Sequence, residues 1–551
     1  MKTHRSGQPP IATAAVLAAV LLVAGPAIAE PFSLQRVWQG EAVADQFGFA
    51  AAPVGDVDAN GCGDLVVGAN VNDGVVLSGG QSYVFRGGGT YPEAAPLTYA
   101  GGYERGYHGA AIAGGADLNG DGIDDWVVGA PGPGPDGLSP GYVHVFLGGV
   151  AIDAEPDATL SGTVAGGQFG AAVCVLPDFD GDGYADLAVG SPRAGSGLVS
   201  LFRGGPGGPA ATPAVTMHAR ADDLRFGKAL AYLPDRDGDG CDDLLVGASR
   251  SSQAATWAGA MLMFAGTAGL DTVPDLVLTG EAAGDEFGYA IDAGGDFNGD
   301  GWPDIAVGAP FANPDGMIDG GRAYVFLAGP ELDAVPDLRF AAAGPGERFG
   351  TAVALGFDWD DDGFGDLAVG APDRAGAGPF AGAVEVFRGG TAPDSLPDVV
   401  IDDAEPELHL GTTVTAGGDL LGNGQTTLCI GGYNAVNEGT VRLYGRDAQP
   451  VATVPPPAVA RGRLAPPWPN PANPRIRLAL DVDVPGRWLV EVVDLAGRRL
   501  AVLHQGPLPA GRAVLRWDGR DARGLPAASG VYAVRATSGR TVDARRFTLV
   551  R

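Results

Sequence analysis

Seven loops, opened by Asp56, Asp117, Asp178, Asp235, Asp296, Asp358 and Asp419, recur along this 551-residue chain at separations of 61, 61, 57, 61, 62 and 61 residues. Each follows a Phe-Gly pair or its counterpart and a short apolar run, and the first six lead into a segment of the type Asp-Leu-x-Val-Gly-Ala-Pro. A fixed period of this length means stacked copies of one supersecondary unit, since such a unit cannot bury its apolar faces alone. Within a period the apolar runs are four or five residues long, and Gly, Pro and Asp separate them. In the third copy they are 171–175, 187–190, 198–202 and 214–217. Four short antiparallel strands in about sixty residues describe one propeller blade, and seven blades close a ring. The expected fold is therefore all-β: a seven-bladed β-propeller, followed by a small C-terminal β-sandwich.

The fourth strands show how the ring closes. Six follow repeats one to six, but a Pro-rich stretch follows repeat seven. A strand-like segment, Phe32 to Trp38, stands before the first Phe-Gly. It is expected to complete blade seven, joining both ends of the propeller and removing an open sheet edge.

Six loops carry oxygen donors at positions one, three, five and nine. They are Asp56, Asp58, Asn60 and Asp64; Asp117, Asn119, Asp121 and Asp125; Asp178, Asp180, Asp182 and Asp186; Asp235, Asp237, Asp239 and Asp243; Asp296, Asn298, Asp300 and Asp304; and Asp358, Asp360, Asp362 and Asp366. A residue such as Tyr184 at position seven can add a backbone carbonyl. A flexible, all-oxygen donor set suits Ca²⁺, whereas Mg²⁺ prefers strict octahedral geometry and keeps its waters. Asn-Gly and Asp-Gly form turns unaided, but turn chemistry does not call for acids at one, three, five and nine together. Crowded carboxylates repel unless a cation joins them. About six Ca²⁺ sites are expected. The seventh loop has Leu421, Asn423, Gln425 and Thr427 after Asp419, and is expected to be metal-free. Position twelve is Val in the intact loops, where an EF-hand needs a bidentate Glu.

The repeats resemble FG-GAP repeats, the units of the integrin α-subunit propeller. The residues that carry the resemblance are Phe47-Gly48, Phe169-Gly170, Phe226-Gly227, Phe287-Gly288 and Phe349-Gly350, with Gly129-Ala130-Pro131, Gly308-Ala309-Pro310 and Gly370-Ala371-Pro372. It covers roughly residues 32–446. It implies a calcium hairpin between the first two strands of a blade, on the face opposite the usual ligand-binding loops. The chain departs from the pattern at His108 and Leu410, which stand where the aromatic of Phe-Gly is expected.

Residues 1–29 read as a secretory signal, with a basic start, an apolar core from Ile11 to Ala24 and a small-x-small site at Ala27-Ile28-Ala29. The propeller is assigned to 30–449 and a Pro-rich linker to 450–469. Beyond residue 450 there are 16 Arg, no Lys and 7 acids, so the rest carries −40 of the chain's net −31. That acidity excludes nucleic acid as a partner, and much of it resides in the loops. Residues 470–551 alternate apolar and polar positions as a small sandwich does. They resemble the FlgD-like immunoglobulin domain and the sorting domains of type IX secretion substrates, through Asn470-Pro471-Ala472-Asn473-Pro474, Val493-Asp494-Leu495-Ala496-Gly497-Arg498, Trp517-Asp518-Gly519-Arg520-Asp521 and Ser529-Gly530-Val531-Tyr532. The resemblance implies sorting or envelope attachment.

Cys62, Cys174, Cys241 and Cys429 lack metal-site spacing and are expected to be mostly unpaired packing residues. No nucleophile motif, zinc signature or phosphate loop occurs. The chain is expected to be a monomeric, secreted or surface-displayed calcium-binding propeller that binds an extracellular protein or glycan. The competing classes are an enzyme or accessory module acting on extracellular polysaccharide or lipid, and a structural cell-surface spacer. A binding role places its contacts on 131–140, 249–258, 311–320 and 373–381, with Trp257, Phe311 and Phe380 as anchors.

Overall fold

A computed structural model describes residues 32–550, apart from 89–95, 135–138, 154, 237, 268, 271, 330–331, 377, 403–405, 434–437, 447–461, 465–475, 483–485, 494–497, 509–510, 521–524 and 539–540. The signal sequence expected over 1–29, most of the 450–469 linker and the Asn470–Pro474 motif lie outside the described residues, as does Asp237. The chain divides into two compact units, Met1–Ala448 and Gln449–Arg551.

The first unit holds seven four-stranded antiparallel sheets. In blade three the strands are Ala172–Leu176, Asp186–Ser191, Leu198–Phe202 and Val215–His218, paired in that order. Second strands such as Leu65–Ala69 and Asp125–Ala130 are buried along their whole length. Neighbouring blades cover both of their faces, so an unbroken apolar run is the stable composition. Fourth strands such as Leu338–Ala341 have one exposed face and alternate. The first strands of successive blades touch one another in turn, and Phe47–Pro53 of blade one touches Thr413–Gly417 of blade seven, so the ring is closed. Ala51, Ala172, Ala229, Ala290 and Ala352 line its central channel. Ile112, Val173, Leu230, Ile291, Val353 and Val414 line it beside them, so the wall is largely apolar.

Phe32–Gln39 pairs antiparallel with Thr440–Arg446 and forms the outer strand of blade seven. Phe32 also stacks 4.4 Å from the Trp359 ring centroid of blade six. The N-terminal strand therefore closes the ring, as its position before the first repeat implied.

The Phe-Gly and Gly-Ala-Pro pairs are two halves of one joint between blades. A Cβ on Gly129 would lie 2.0 Å from the carbonyl oxygen of Gly170 in the next blade. The pairs Gly68/Gly109, Gly190/Gly227, Gly247/Gly288, Gly308/Gly350, Gly370/Gly411 and Gly431/Gly48 repeat that approach at 2.0 to 2.5 Å. No side chain fits there, so each joint requires glycine. The aromatic ring beside each joint fills the space between blades: Phe169 packs with Val127, Val143, Val173 and Leu187. Truncating such a ring to Ala costs about 3–5 kcal/mol. His108 and Leu410 occupy the same place and are fully buried. His108 Nε2 makes a 2.9 Å hydrogen bond with Ser82 Oγ, while its buried Nδ1 has no partner.

In the second unit, Gly462–Leu464, Ile476–Val482 and Gly511–Trp517 form one sheet, and Arg499–Leu508, Gly486–Val493, Gly530–Ser538 and Thr541–Leu549 form the other. Trp488, Trp517, Tyr532 and Phe547 lie in the core between them. The first of these strands falls inside the segment expected to be linker, because Leu464 is buried in the same core. Tyr532 donates its hydroxyl to the Ala528 carbonyl at 2.8 Å, and Trp517 its Nε1–H to the Arg520 carbonyl at 2.7 Å. Each bond closes its own segment, and the Ala527 N–H donated to the Gly519 carbonyl at 2.9 Å links the two. Within the described residues all four cysteines are unpaired.

Candidate metal centres

Each acidic loop joins the first strand of its blade to the second. Position two points inward in six of the seven loops, where Val57, Leu118, Phe179, Phe297, Trp359 and Leu420 are buried; loop four has the half-buried Arg236 there. This apolar anchor forces positions one and three to face out of the blade. Position one then organises the turn. In loop three, Asp178 Oδ1 accepts the Gly181 N–H at 2.7 Å and Oδ2 accepts the Gly183 N–H at 3.1 Å. In loop two Asp117 bonds Gly120 and Gly122 in the same way, and in loop five Asp296 bonds Gly299 and Gly301. Gly183, at φ +89°, provides the left-handed turn at position six.

Position nine begins the second strand and is buried. Asp64, Asp125, Asp186, Asp304 and Asp366 are 0% exposed, and Asp243 is 3%. Asp186 Oδ2 accepts the Phe179 N–H at 3.1 Å, and its Oδ1 accepts the Gly204 N–H at 3.0 Å. Burial pushes the carboxyls of Asp64, Asp125, Asp186, Asp304 and Asp366 up to about 7. Neighbouring loop acids push the same way, and the backbone donors pull against them. A carboxylate in that position favours a cation.

In three loops the structure brings positions one, three and nine together: Asp56, Asp58 and Asp64; Asp178, Asp180 and Asp186; Asp358, Asp360 and Asp366. Each triad has carboxylate oxygens within 4.8 Å of one another. Position five does not join these groups. Asp182 Oδ1 accepts the Tyr184 N–H at 3.0 Å, and Asp362 Oδ1 the Phe364 N–H at 3.0 Å, which holds them in a local turn. Loops two and five have Asn at position three, where Asn119 Nδ2 donates to Asp121 at 3.2 Å and Asn298 Nδ2 to Asp300 at 2.9 Å. In loop four, Asp235 bonds Gly238 and Gly240, Asp239 bonds Cys241 and Asp243 bonds Gly266.

Two sets of residues around the loops are absent from the sequence-based site. Arg86, Arg203 and Arg388 follow the third strands and pair with Asp58, Asp180 and Asp360 at 3.4, 2.6 and 3.3 Å. They occur in three of the four loops with Asp at position three; loop four, with Asp237, has Ala265 there. Where it is Asn, the corresponding residue is Leu147 or Leu327. In loops one, three and six the charge at position three is thus matched across the blade, a pattern visible only once the repeats are aligned by structure. Asp124 and Asp242, at position eight, reach the preceding loop and accept the N–H groups of Asp56 at 2.9 Å and Asp178 at 3.0 Å. Adjacent loops are coupled as well by Ala185 N–H to Asp117 carbonyl and Gly365 N–H to Asp296 carbonyl.

On the opposite side, among the anchors expected there, Trp257 is 45% and Phe380 49% exposed. Arg250 lies 5.0 Å over the Trp257 ring, Arg348 5.5 Å over Phe311, and His409 stacks on Phe380 at 5.6 Å. Residues 135–138 and 377 of the expected contact loops lie outside the described residues.

Comparison with known proteins agrees with this geometry. The FG-GAP repeat family matches residues 108–146, 169–202 and 287–326, and the FlgD Ig-like domain matches 476–541. Integrin alpha-5 of Xenopus laevis is 32% identical over 38% of this chain and 20% of its own length. Integrin alpha-PS2 of Drosophila melanogaster is 32% identical over 36% of this chain and 15% of its own. Phosphatidylinositol-glycan-specific phospholipase D of Rattus norvegicus is 37% identical over 24% and 17%. The matched region is a fifth or less of these relatives. PorZ, a surface component of the type-IX secretion system of Porphyromonas gingivalis, is similar over 89% of this chain and 58% of its own at 16% identity and a TM-score of 0.39, too low to argue from. The chain carries FG-GAP repeats in an integrin-like propeller, with a FlgD Ig-like domain at its C-terminal end.

Proposed function

We propose that this FG-GAP repeat protein is an extracellular, calcium-stabilised propeller that binds a partner on the face opposite its metal loops, with the C-terminal sandwich serving as address or anchor. The observation that carries the calcium reading is the buried acid at position nine, grouped with the acids of positions one and three. In the intact loops the oxygen donors of positions one, three and nine would hold the ion, with the carbonyl at position seven as a further donor. The loop acids at position five complete the set if they turn from their local N–H partners. A bound divalent cation supplies charge compensation and cross-links the two ends of the hairpin. The chain's own residues supply the rest: position two seats the loop, position one shapes it, and the backbone donors fix the direction of position nine.

Calcium loops on one side leave the opposite face for partners, and the integrin relatives favour a role at the cell surface. Thermal unfolding in calcium and in chelator tests the metal part. Calcium is expected to raise the melting temperature, and curves that coincide would overturn the reading. Deleting 462–551 and following export in the native host tests the C-terminal role. Retention inside the envelope is the expected result, and unchanged display would leave the sandwich as a structural module.

A further inference from the structure

The channel mouth is not the same all the way round. In every repeat the residue before Phe-Gly, or its counterpart, has a left-handed backbone: Gln46, Tyr107, Gln168, Arg225, Glu286, Arg348 and His409, at φ of 51 to 63°. Because all seven share it, this conformation belongs to the scaffold, and the side chains alone distinguish one sector from another. Over blades one to four they surround a cavity of about 450 Å³, a size suited to a small ligand or a short oligosaccharide.

Arg193, Arg225 and Lys228 line this cavity, and no carboxylate is among its lining residues, although the chain's net charge is −31. Among the described residues, neither Arg193 nor Lys228 has an acidic partner; Lys228 Nζ lies 4.6 Å from the Tyr289 ring centroid. Arg225 reaches Glu286 at 3.6 Å, but that carboxylate already takes Arg250 at 2.7 Å. Burial first, and the nearby charges of Arg250 and Arg193 after it, lower the Arg225 pKa against the pull of Glu286. Two cations without an acidic partner, Arg193 and Lys228, beside an arginine that shares its one carboxylate with Arg250, make an anion-seeking site.

The neighbouring cavity over blades five to seven is the contrast. There a carboxylate is part of the lining: Asp373 pairs with Arg348 at 3.1 Å and hydrogen-bonds His409 at 2.8 Å.

A second observation comes from Asn70, which also lines the first cavity. It is 7% exposed, and its Oδ1 has no hydrogen-bond partner. A buried amide left unpaired costs free energy unless a ligand completes it. Gln46 and Gln168 add two more amides, and Phe49 and Tyr107 add aromatic surface. Amides recognise hydroxyl groups, aromatic faces cover the apolar face of a sugar ring, and guanidinium and ammonium groups meet carboxylate or sulfate.

We infer that the channel mouth of blades one to four binds an acidic carbohydrate, with Arg193, Arg225 and Lys228 on its anionic groups and Asn70, Gln46 and Gln168 on its hydroxyls. This rests on the reading of the chain as a binding propeller but does not use the metal loops. An acidic peptide would satisfy the cations and leave the amides and rings with little to do.

The test uses the full secreted chain in calcium, titrated calorimetrically with oligogalacturonate, a sulfated galactan oligomer, a neutral glucan oligomer and oligoglutamate. Binding of at least one acidic sugar, weakened by salt and absent for the neutral glucan, is expected. Which acidic sugar binds separates carboxylate from sulfate. The variant Arg193→Ser/Lys228→Ser should lose about tenfold or more in affinity, because it removes two charge-assisted contacts. Asn70→Ala should lose affinity without changing the salt dependence. Calcium-dependent melting of both variants is read alongside: if it matches the parent, any lost binding belongs to the cavity and not to the fold. Equal binding of the neutral glucan, tighter binding of oligoglutamate, no binding of either acidic sugar, or a double variant that binds as well as the parent would each overturn the proposal. None of these results would alter the calcium reading, which the melting curves test separately.

Discussion

Loops three and seven share a fold but not a donor set. Asp419 accepts the N–H groups of Asn423 at 2.9 Å and Gly424 at 2.6 Å, much as Asp178 accepts those of Gly181 and Gly183. Leu420 is buried as Phe179 is. Yet Leu421 replaces Asp180 and is packed against the core, and Thr427 replaces Asp186 and bonds the carbonyls of Gly417 and Gly418 at 3.3 Å each. The hairpin therefore forms without acids at positions three and nine. Those acids are surplus to the turn, and in a buried, mutually repelling group they need another purpose. Repeat seven serves as the molecule's own control for the metal reading.

The largest expected effect comes from removing calcium altogether. At a free concentration tenfold above Kd, each site contributes about 1.4 kcal/mol, so six together outweigh any single substitution. The fall in melting temperature in chelator measures this directly. Next in size is Asp186→Ala, which deletes a metal donor and leaves two buried N–H groups without acceptor. It should destabilise much more in calcium than in chelator. Asp419→Ala should cost the same in both. Equal calcium dependence in the two variants would break the contrast between the loops.

Removing 32–39 should also be severe, since it strips the outer strand from blade seven and exposes the edge of Thr440–Arg446. Comparison of 30–446 with 40–446 by melting and light scattering checks this. Equal stability and equal monomer content would mean that the strand is dispensable.

Much of this was readable from the chain because repetition multiplies weak signals. One Asp-rich loop is a turn; six with donors at positions one, three and five and a common ninth acid suggest a metal site. The strand order and the role of Phe32–Gln39 followed from counting strands against repeats. Three features were not readable. The pairing of Arg203 with Asp180 depends on two hairpins meeting across a blade. The local turn that keeps Asp182 from the triad is a matter of backbone direction. The early start of the second unit, at Gly462, was hidden by the surrounding prolines, which read as linker although Leu464 enters the core.

Two smaller predictions sharpen the comparison. Arg203→Leu gives loop three the Leu found beside loops two and five and removes a cation competing for Asp180. Calcium affinity at that loop should rise by a few-fold, in keeping with the ~0.5–1 kcal/mol of a partly exposed ion pair. Unchanged or weaker affinity would make Arg203 structural. The second concerns repeat two. Burial holds His108 well below its ordinary pKa and lowers His144 to about 4. Both take a proton in the unfolded chain near 6.5 but resist it when folded. The stability these two histidines contribute should therefore be lost as pH falls below about 6.5. The double variant His108→Phe/Ser82→Ala should lose less between pH 7 and pH 5 than the parent, as read by melting temperature. An identical loss would absolve His108.

The most direct test of the central claim is the number of calcium ions bound per chain at saturation, by equilibrium dialysis with metal analysis. The account predicts about six for the parent, about one fewer for Asp186→Ala and no change for Asp419→Ala. No saturable binding, or a count that falls equally in the two variants, would contradict it.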